Sequence, residues 1–271
     1  MAHSWTGDVQ HRYVAKRLAD EFPEELAAII VATGIRRSPA QRALLWSKRY
    51  SVSQLASRML ARTYARLIRR DQQRQRTFGS VLFPDGEDGQ MPRPDIVRRI
   101  PSHNGPECLA LLEEIKPDVV AVYGTLIIGR KIIAAAKCMI NVHTGLSPTY
   151  RGSDTIFWAL HNGEPQNVGV TVHRVDPGVD SGPILARGRP RIDPGDSEDR
   201  LFAKAVQLGA ELLCRAIRRE FAGSAKPLIQ DLGSGREFRS VQRNVAAELR
   251  TRKLLKQGLL SQGQESWSEE Y

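Results

Sequence analysis

The chain has 271 residues, 41% hydrophobic and 26% charged, a composition that suits a soluble globular protein with a sizeable core. No apolar run reaches the roughly 18–20 residues of a membrane span, and "MAHSWTGDVQHRY" lacks the basic-then-apolar pattern of a secretory signal, so a cytoplasmic protein is expected. The net charge of +10 comes from one stretch: twelve Lys/Arg and a single acid, Asp71, lie between Arg36 and Arg76, which favours anionic partners or else marks a solvated helix face.

In chain order, "HRYVAKRLADEF" (11–22) has helical spacing of its apolar residues, and "LAAIIVAT" (26–33) reads as a buried strand. Residues 39–70 are expected to be helical, with Leu55, Met59, Leu60, Tyr64 and Leu67 on a basic background. The Gly, Pro and Asp content of 83–95 marks a loop. The order then becomes regular. "IVRRI" is a strand, "PECLALLEEI" a helix opened by proline, "DVVAVYG" (118–124) a strand, "RKIIAAAK" a helix and "CMINVH" a strand. That alternation predicts a mostly parallel sheet covered by helices. "SDTIFWALHNG" (153–163) follows as a helix with Ser153 or Asp154 as N-cap, then the strands "VGVTVHRV" and "PILARGRPRI" around the turn "DPGVDSG". Residues 195–221 form a long amphipathic helix with acids in its first turn. The tail from about 223 is basic and weakly periodic near "VAAELRTRKLLKQGLL". Cys108, Cys138 and Cys214 are few and far apart, without CxxC or HExxH, so neither a disulfide framework nor a metal site is indicated.

In parallel sheets, ligands gather at the carboxyl ends of strands. Asn141 and His143 end the strand "CMINVH" two positions apart and so face the same way. Asp180 lies on the Gly-rich turn after another strand, and "VYGTLII" (122–128) supplies an apolar loop after a third. An amide, an imidazole and a carboxylate beside an apolar slot suit acyl transfer to an amine. The Asn141 amide can donate to a developing oxyanion, His143 can exchange the amine's proton, and Asp180 can orient the imidazole. No Ser or Cys nucleophile stands in a recognisable setting, which favours direct attack through a tetrahedral intermediate. Taken singly, an N-x-H pair and a DPGxDSG turn are structural more often than catalytic. His11, His103, His161 and His173 are read as structural.

Together, "INVHTGLSPTYRG", "VDPGVDSG" and "PDVVAVYGTLII" resemble the formyltransferases that use 10-formyltetrahydrofolate, a group that includes sugar-nucleotide, methionyl-tRNA and glycinamide ribonucleotide enzymes. The likeness runs from about Pro106 to Phe221 and more weakly over 7–33. It implies a Rossmann-like α/β domain, helices on both faces of the sheet, over residues 1–222. That domain would carry a shortened first strand and a basic helical insertion at about 36–76, with an extension over 223–271. It implies Asn141, His143 and Asp180 as the catalytic trio, and Leu126, Ile127, Val175 and Asp176 against the folate. Tyr150, Arg151 and Gly152 would face the acceptor, Arg151 being suited to an anionic group. The expected acceptor is a small, anionic primary amine such as an amino sugar or sugar nucleotide. A methionyl-tRNA-like enzyme and a non-catalytic binding protein on the same scaffold stand as alternatives, and a homodimer stays open. Two departures are visible. Only "MAHSW" precedes the first Gly-containing loop, so the family's first strand is expected to be short, and "HTGLSP" differs from the usual "H-x-S-L-L-P", so the acceptor pocket is expected to be unusual.

Overall fold

The structure, a computed structural model, describes residues 8–34, 38, 41, 46, 50–68, 70–86 and 90–271. In chain order its main elements are α1 (Val9–Glu21), β1 (Ile29–Ala32), α2 (Val52–Leu67), α3 (Arg70–Leu82), β2 (Val97–Ile100), α4 (Pro106–Ile115), β3 (Val120–Tyr123), α5 (Arg130–Ala134) and β4 (Met139–His143). After them come β5 (Tyr150–Gly152), α6 (Thr155–His161), β6 (Val170–Arg174), β7 (Ile184–Arg189), α7 (Glu198–Phe221), β8 (Arg236–Phe238), α8 (Val245–Lys256) and β9 (Trp267–Glu270). The expected α/β architecture is present. The short first strand, expected within residues 1–7, falls outside the described residues.

The central sheet has the order β3-β4-β6-β7-β9, and β1–β2 and β5–β8 form two further pairs. Parallel pairing, expected for most of the sheet, holds for β1 with β2, β3 with β4 and β5 with β8. The remaining pairs of the central sheet are antiparallel. For β6 and β7 the reason is the short turn between them, since a link of that length returns a strand only in the opposite direction.

Side-chain alternation along β4 divides the layers. Ile140 and Val142 enter a core with Val170 and Val172 of β6 and with buried residues of α1, α3 and α7. Met139, on the other face, joins Val122, Ile100, Cys108, Leu112 and Ile132 of the β1–β3 region, α4 and α5. Helices therefore cover both faces, and Asn141 and His143 share the face of Met139.

Three elements differ from the sequence reading for identifiable reasons. The expected helix over 39–70 is, in its described part, α2, opened by a capping box between Ser51 and Gln54 and ended near Ile68. A separate helix, α3, follows and packs Phe78 and Leu82 into the core; its mostly polar sequence hid it. Hence only α2, none of whose residues is buried, answers to the expected arm. Residues 223–271, expected as an extension, are built into the same fold. β9 is the edge strand beside β7, β8 pairs with β5, and Ala247 of α8 joins the cluster formed by α6 and the first half of α7. Among the described residues no helix is long and apolar enough to cross a membrane.

Candidate active site

The register of β4 against β6 sets the site. Asn141 lies opposite His173, and His143 opposite Thr171. The β6–β7 connection brings Asp180 back over this strand end with φ +47, a left-handed conformation that Asp tolerates better than most residues. Gly182, two positions on, lies so close to the Arg174 carbonyl that no Cβ would fit.

The Asp180 carboxylate sits at the centre. Its Oδ2 is 3.3 Å from His143 Nδ1 and accepts the Gly152 N–H at 3.0 Å. Its Oδ1 is 3.5 Å from both His173 Nε2 and Asn141 Nδ2. Asn141 Nδ2 is in turn 3.2 Å from His173 Nε2. The other ring nitrogens face carbonyls and therefore donate: His143 Nε2 to Tyr150 O at 3.0 Å, His173 Nδ1 to Arg174 O at 2.9 Å. These bonds leave His143 Nδ1 as the basic nitrogen facing Asp180, and His173 Nε2 as the one facing Asn141.

Burial alone would raise the Asp180 carboxyl, but the positive charge of the His143 and His173 rings in their protonated forms, with the Gly152 N–H, outweighs it and holds the group well below its ordinary value of 3.8. The stability it contributes is thus complete above that value and is lost as pH falls toward the folded one. Unfolding free energies measured from pH 7 into acid are expected to show the wild type losing stability relative to Asp180→Asn below about pH 4. Parallel curves in that range would contradict the charge pairing.

Gly145 packs edge-on to His143. A Cβ there would overlap His143 Nε2 and lie 2.7 Å from Thr155 Oγ1. Gly145→Ala is expected to displace the ring and lower turnover by about tenfold or more, with little change in secondary structure by circular dichroism.

The other expected site residues are placed as follows. Leu126 and Ile127 are largely exposed on the loop after β3, which Asn104 anchors by donating to Ile127 O at 2.9 Å and accepting from Gly129 N at 2.6 Å. Val175 donates its N–H to Met139 O and, like Ile128 and Ile133, packs against the cluster that includes Met139 and Val122. Asp176 Oδ1 accepts from Ser181 Oγ at 2.7 Å and from Gly178 N at 3.1 Å, which ties its carboxylate within the turn. Arg151 donates Nη1 to Val179 O at 3.2 Å, and its buried Nε has no partner among the described residues.

Tyr150 is a correction. Its ring is fully buried and stacks on Phe238, and its hydroxyl bonds to Glu164, Asn162 and Arg236. Burial and the Glu164 carboxylate push that hydroxyl up to about 12. The side chain faces the protein interior, and only its carbonyl, through His143, belongs to the site. Asp154, one of the two expected N-caps of α6, holds that position with φ +57, but its side chain makes no cap hydrogen bond, its carboxylate being bound by Arg243.

His173 is the participant that the sequence reading had assigned to structure. The only signal was its position, two residues after Thr171 on an alternating strand and seven before Asp180, and that pattern also fits a buried structural imidazole. Among the described residues no group of three or more His, Cys, Asp or Glu side chains could hold a metal ion. A cavity of about 650 Å³ opens at the other end of β3 and β4, beside Asp118, Lys137 and Glu220; it is lined by Val175, one of the residues expected against the folate, and by none of the trio.

Compared with known proteins, residues 42–217 match the family model described as formyl transferase. A methionyl-tRNA formyltransferase of Synechococcus sp. (strain JA-3-3Ab) is 38% identical over 128 residues, covering 46% of this chain and 39% of that protein. One from Caldanaerobacter subterraneus is 36% identical over 126 residues, covering 46% and 40%. The chain thus spans well under half the length of these relatives. Among solved structures, a formyltransferase from Anoxybacillus kamchatkensis in complex with UDP-4,6-dideoxy-4-formamido-L-AltNAc and tetrahydrofolate superimposes with a TM-score of 0.46 at 21% identity, covering 61% of this chain and 82% of that one.

Proposed function

This chain belongs to the formyl transferase family, and from that premise we propose that it carries a formyl group from 10-formyltetrahydrofolate to the primary amine of a small anionic acceptor, an amino sugar or sugar nucleotide, in the cytoplasm. The observation that supports this reading is the meeting of Asn141, His143 and Asp180 at one strand end, with the two histidines and the amide all within 3.5 Å of one carboxylate.

The folate would supply a formyl carbonyl already activated by its attachment to nitrogen. Leu126 and Ile127 offer exposed apolar surface to its ring, from a loop stiffened by Asn104. Val175 and the backbone of Asp176 stand at the start of the second loop. Asn141 Nδ2 would turn one N–H from its 3.5 Å contact with Asp180 to the oxygen on which negative charge develops, the other staying with His173 Nε2. His143 takes the amine's proton at Nδ1, because Nε2 is committed to Tyr150 O, and Asp180 stabilises the resulting imidazolium. Gly152 holds Asp180 in place through its N–H, and Arg151, tied to Val179 O through Nη1, would offer its positive charge to the acceptor's anionic group. Collapse of the tetrahedral intermediate would break the bond between the formyl carbon and the folate nitrogen, and the proton held on His143 would pass to that nitrogen as tetrahydrofolate leaves, so the transfer needs no acyl-enzyme.

A second reading, an aminoacyl-tRNA as acceptor, is favoured by the match to methionyl-tRNA formyltransferases. Part of the basic charge that would support it is bound internally: Arg70 pairs with Glu198 and Glu248, and Arg74 with Asp199. Release of tetrahydrofolate, followed spectrophotometrically with nucleotide-linked amino sugars and with methionyl-tRNA, separates the readings. Turnover with the sugars is expected. Turnover with the tRNA alone would establish the second reading, and none with any amine would leave a binding protein on this scaffold.

A further inference from the structure

The Asp180 loop is clamped by a side chain from far along the chain. Gln230 Nε2 donates to Asp180 O at 3.0 Å and to Gly182 O at 2.6 Å, so both amide hydrogens hold the same turn. Gln230 is 9% exposed, and its own backbone is fixed from either side. Two residues before it, Leu228 and Ile184 exchange backbone hydrogen bonds of 2.8 Å at the start of β7. Immediately after it, Asp231 closes a turn by accepting from Gly233 N at 3.1 Å.

The turn needs such a clamp. Asp180 holds a left-handed conformation without being glycine, a conformation kept only where the surroundings over-determine it. Its neighbour Val179 is tied by Arg151, and the next two anchored carbonyls are both tied by Gln230. We propose that Gln230 is a positioning residue for formyl transfer, setting the backbone of the Asp180 turn so that the carboxylate spans His143 and His173. The chain after α7 then completes the catalytic centre. This rests on the reading of Asp180 as part of the reacting site.

Gln230→Met keeps the length of the side chain and removes both donors. Released, the turn is expected to carry Asp180 away from His143, His173, Asn141 and the Gly152 N–H, the groups that face its carboxylate. Two measurements test this. In formyl transfer, kcat is expected to fall by about 10- to 100-fold with KM for the amine within about threefold. By carboxyl-carbon NMR, the Asp180 titration is expected to move up toward the ordinary carboxylate range. A folded variant with the wild-type kcat and an unshifted Asp180 titration would overturn the proposal. If the wild type itself transfers no formyl group, the functional reading fails while the NMR titration still decides the clamp. Should Gln230→Met not fold, Gln230→Asn, which draws the amide back by one methylene, is expected to give the same two changes at smaller amplitude, and their absence would equally overturn it.

Discussion

Replacing His143 with alanine is expected to lower kcat for formyl transfer by roughly a thousandfold, within the range that a positioned general acid–base contributes. In the proposed mechanism the ring receives the amine's proton at Nδ1, 3.3 Å from the largely buried Asp180 carboxylate. His173 does not, because its Nδ1 is bound to the Arg174 carbonyl and its Nε2 points at the Asn141 amide. The stability cost should be small, about 1–2 kcal/mol, since Asp180 keeps the Gly152 N–H and His173 as partners. Single-turnover kinetics at saturating donor isolate the chemical step. A variant that folds and retains the wild-type rate removes histidine from the mechanism. Asn141→Ala is the companion measurement: loss of an oxyanion donor is expected to cost about a hundredfold.

How much of this site the chain announces depends on whether the information is local. Asn141 and His143 share a face because a strand has a period of two, and that can be counted along "INVH". The end of the strand at which they lie follows from chain direction alone. His173 is different. Its pairing with Asn141 is a register between strands 32 positions apart that run antiparallel, and nothing in "GVTVHRV" specifies a partner's register. The same limit hid the burial of Tyr150, whose ring is covered by Phe238 and Arg236 from the chain's last fifty residues. It also hid Gln230, which in sequence is one polar residue in an unpatterned stretch. Helices α1, α4 and α7 were legible because apolar spacing and terminal Ser, Pro or acids are local signals. α3 was not, since a helix that buries only Phe78 and Leu82 has almost no periodicity to read. What joins the catalytic trio to its support is carried by contacts of high sequence separation, and those are properties of the fold.

The largest loss of stability is expected from Arg243→Ala. This guanidinium, almost completely buried, donates Nη1 to Asp154 at 2.9 Å and to Glu198 at 2.8 Å, Nη2 to Glu198 at 2.8 Å and Nε to Glu248 at 2.7 Å, and it lies 3.7 Å above the Phe157 ring centroid. Arg70 is the second cation of the group, 2.5 Å from Glu248 and 3.4 Å from Glu198. Removing Arg243 takes the guanidinium from Asp154 and leaves Glu198 and Glu248 with Arg70 in a site largely closed to water, which costs about 3–5 kcal/mol when a single partner is deleted. Arg243→Lys should recover little, because one ammonium cannot reproduce a planar fork shared by three acids. The pH dependence distinguishes this from lost packing. Burial would raise the Glu198 carboxyl, but Arg243, with Arg70 and Arg74 behind it, holds it below its ordinary value of 4.5. In the wild type the associated stability is therefore complete above that value and lost below it. Without Arg243 the same carboxyl shifts upward and binds a proton more readily, so part of the deficit measured by urea unfolding at pH 7 should disappear at pH 5. A deficit equal at both values would assign the loss to the contact with Phe157. Because Asp154 lies two positions after Gly152, whose N–H holds the Asp180 carboxylate, the same substitution should also lower turnover, and kcat measured well below the unfolding midpoint tests that coupling.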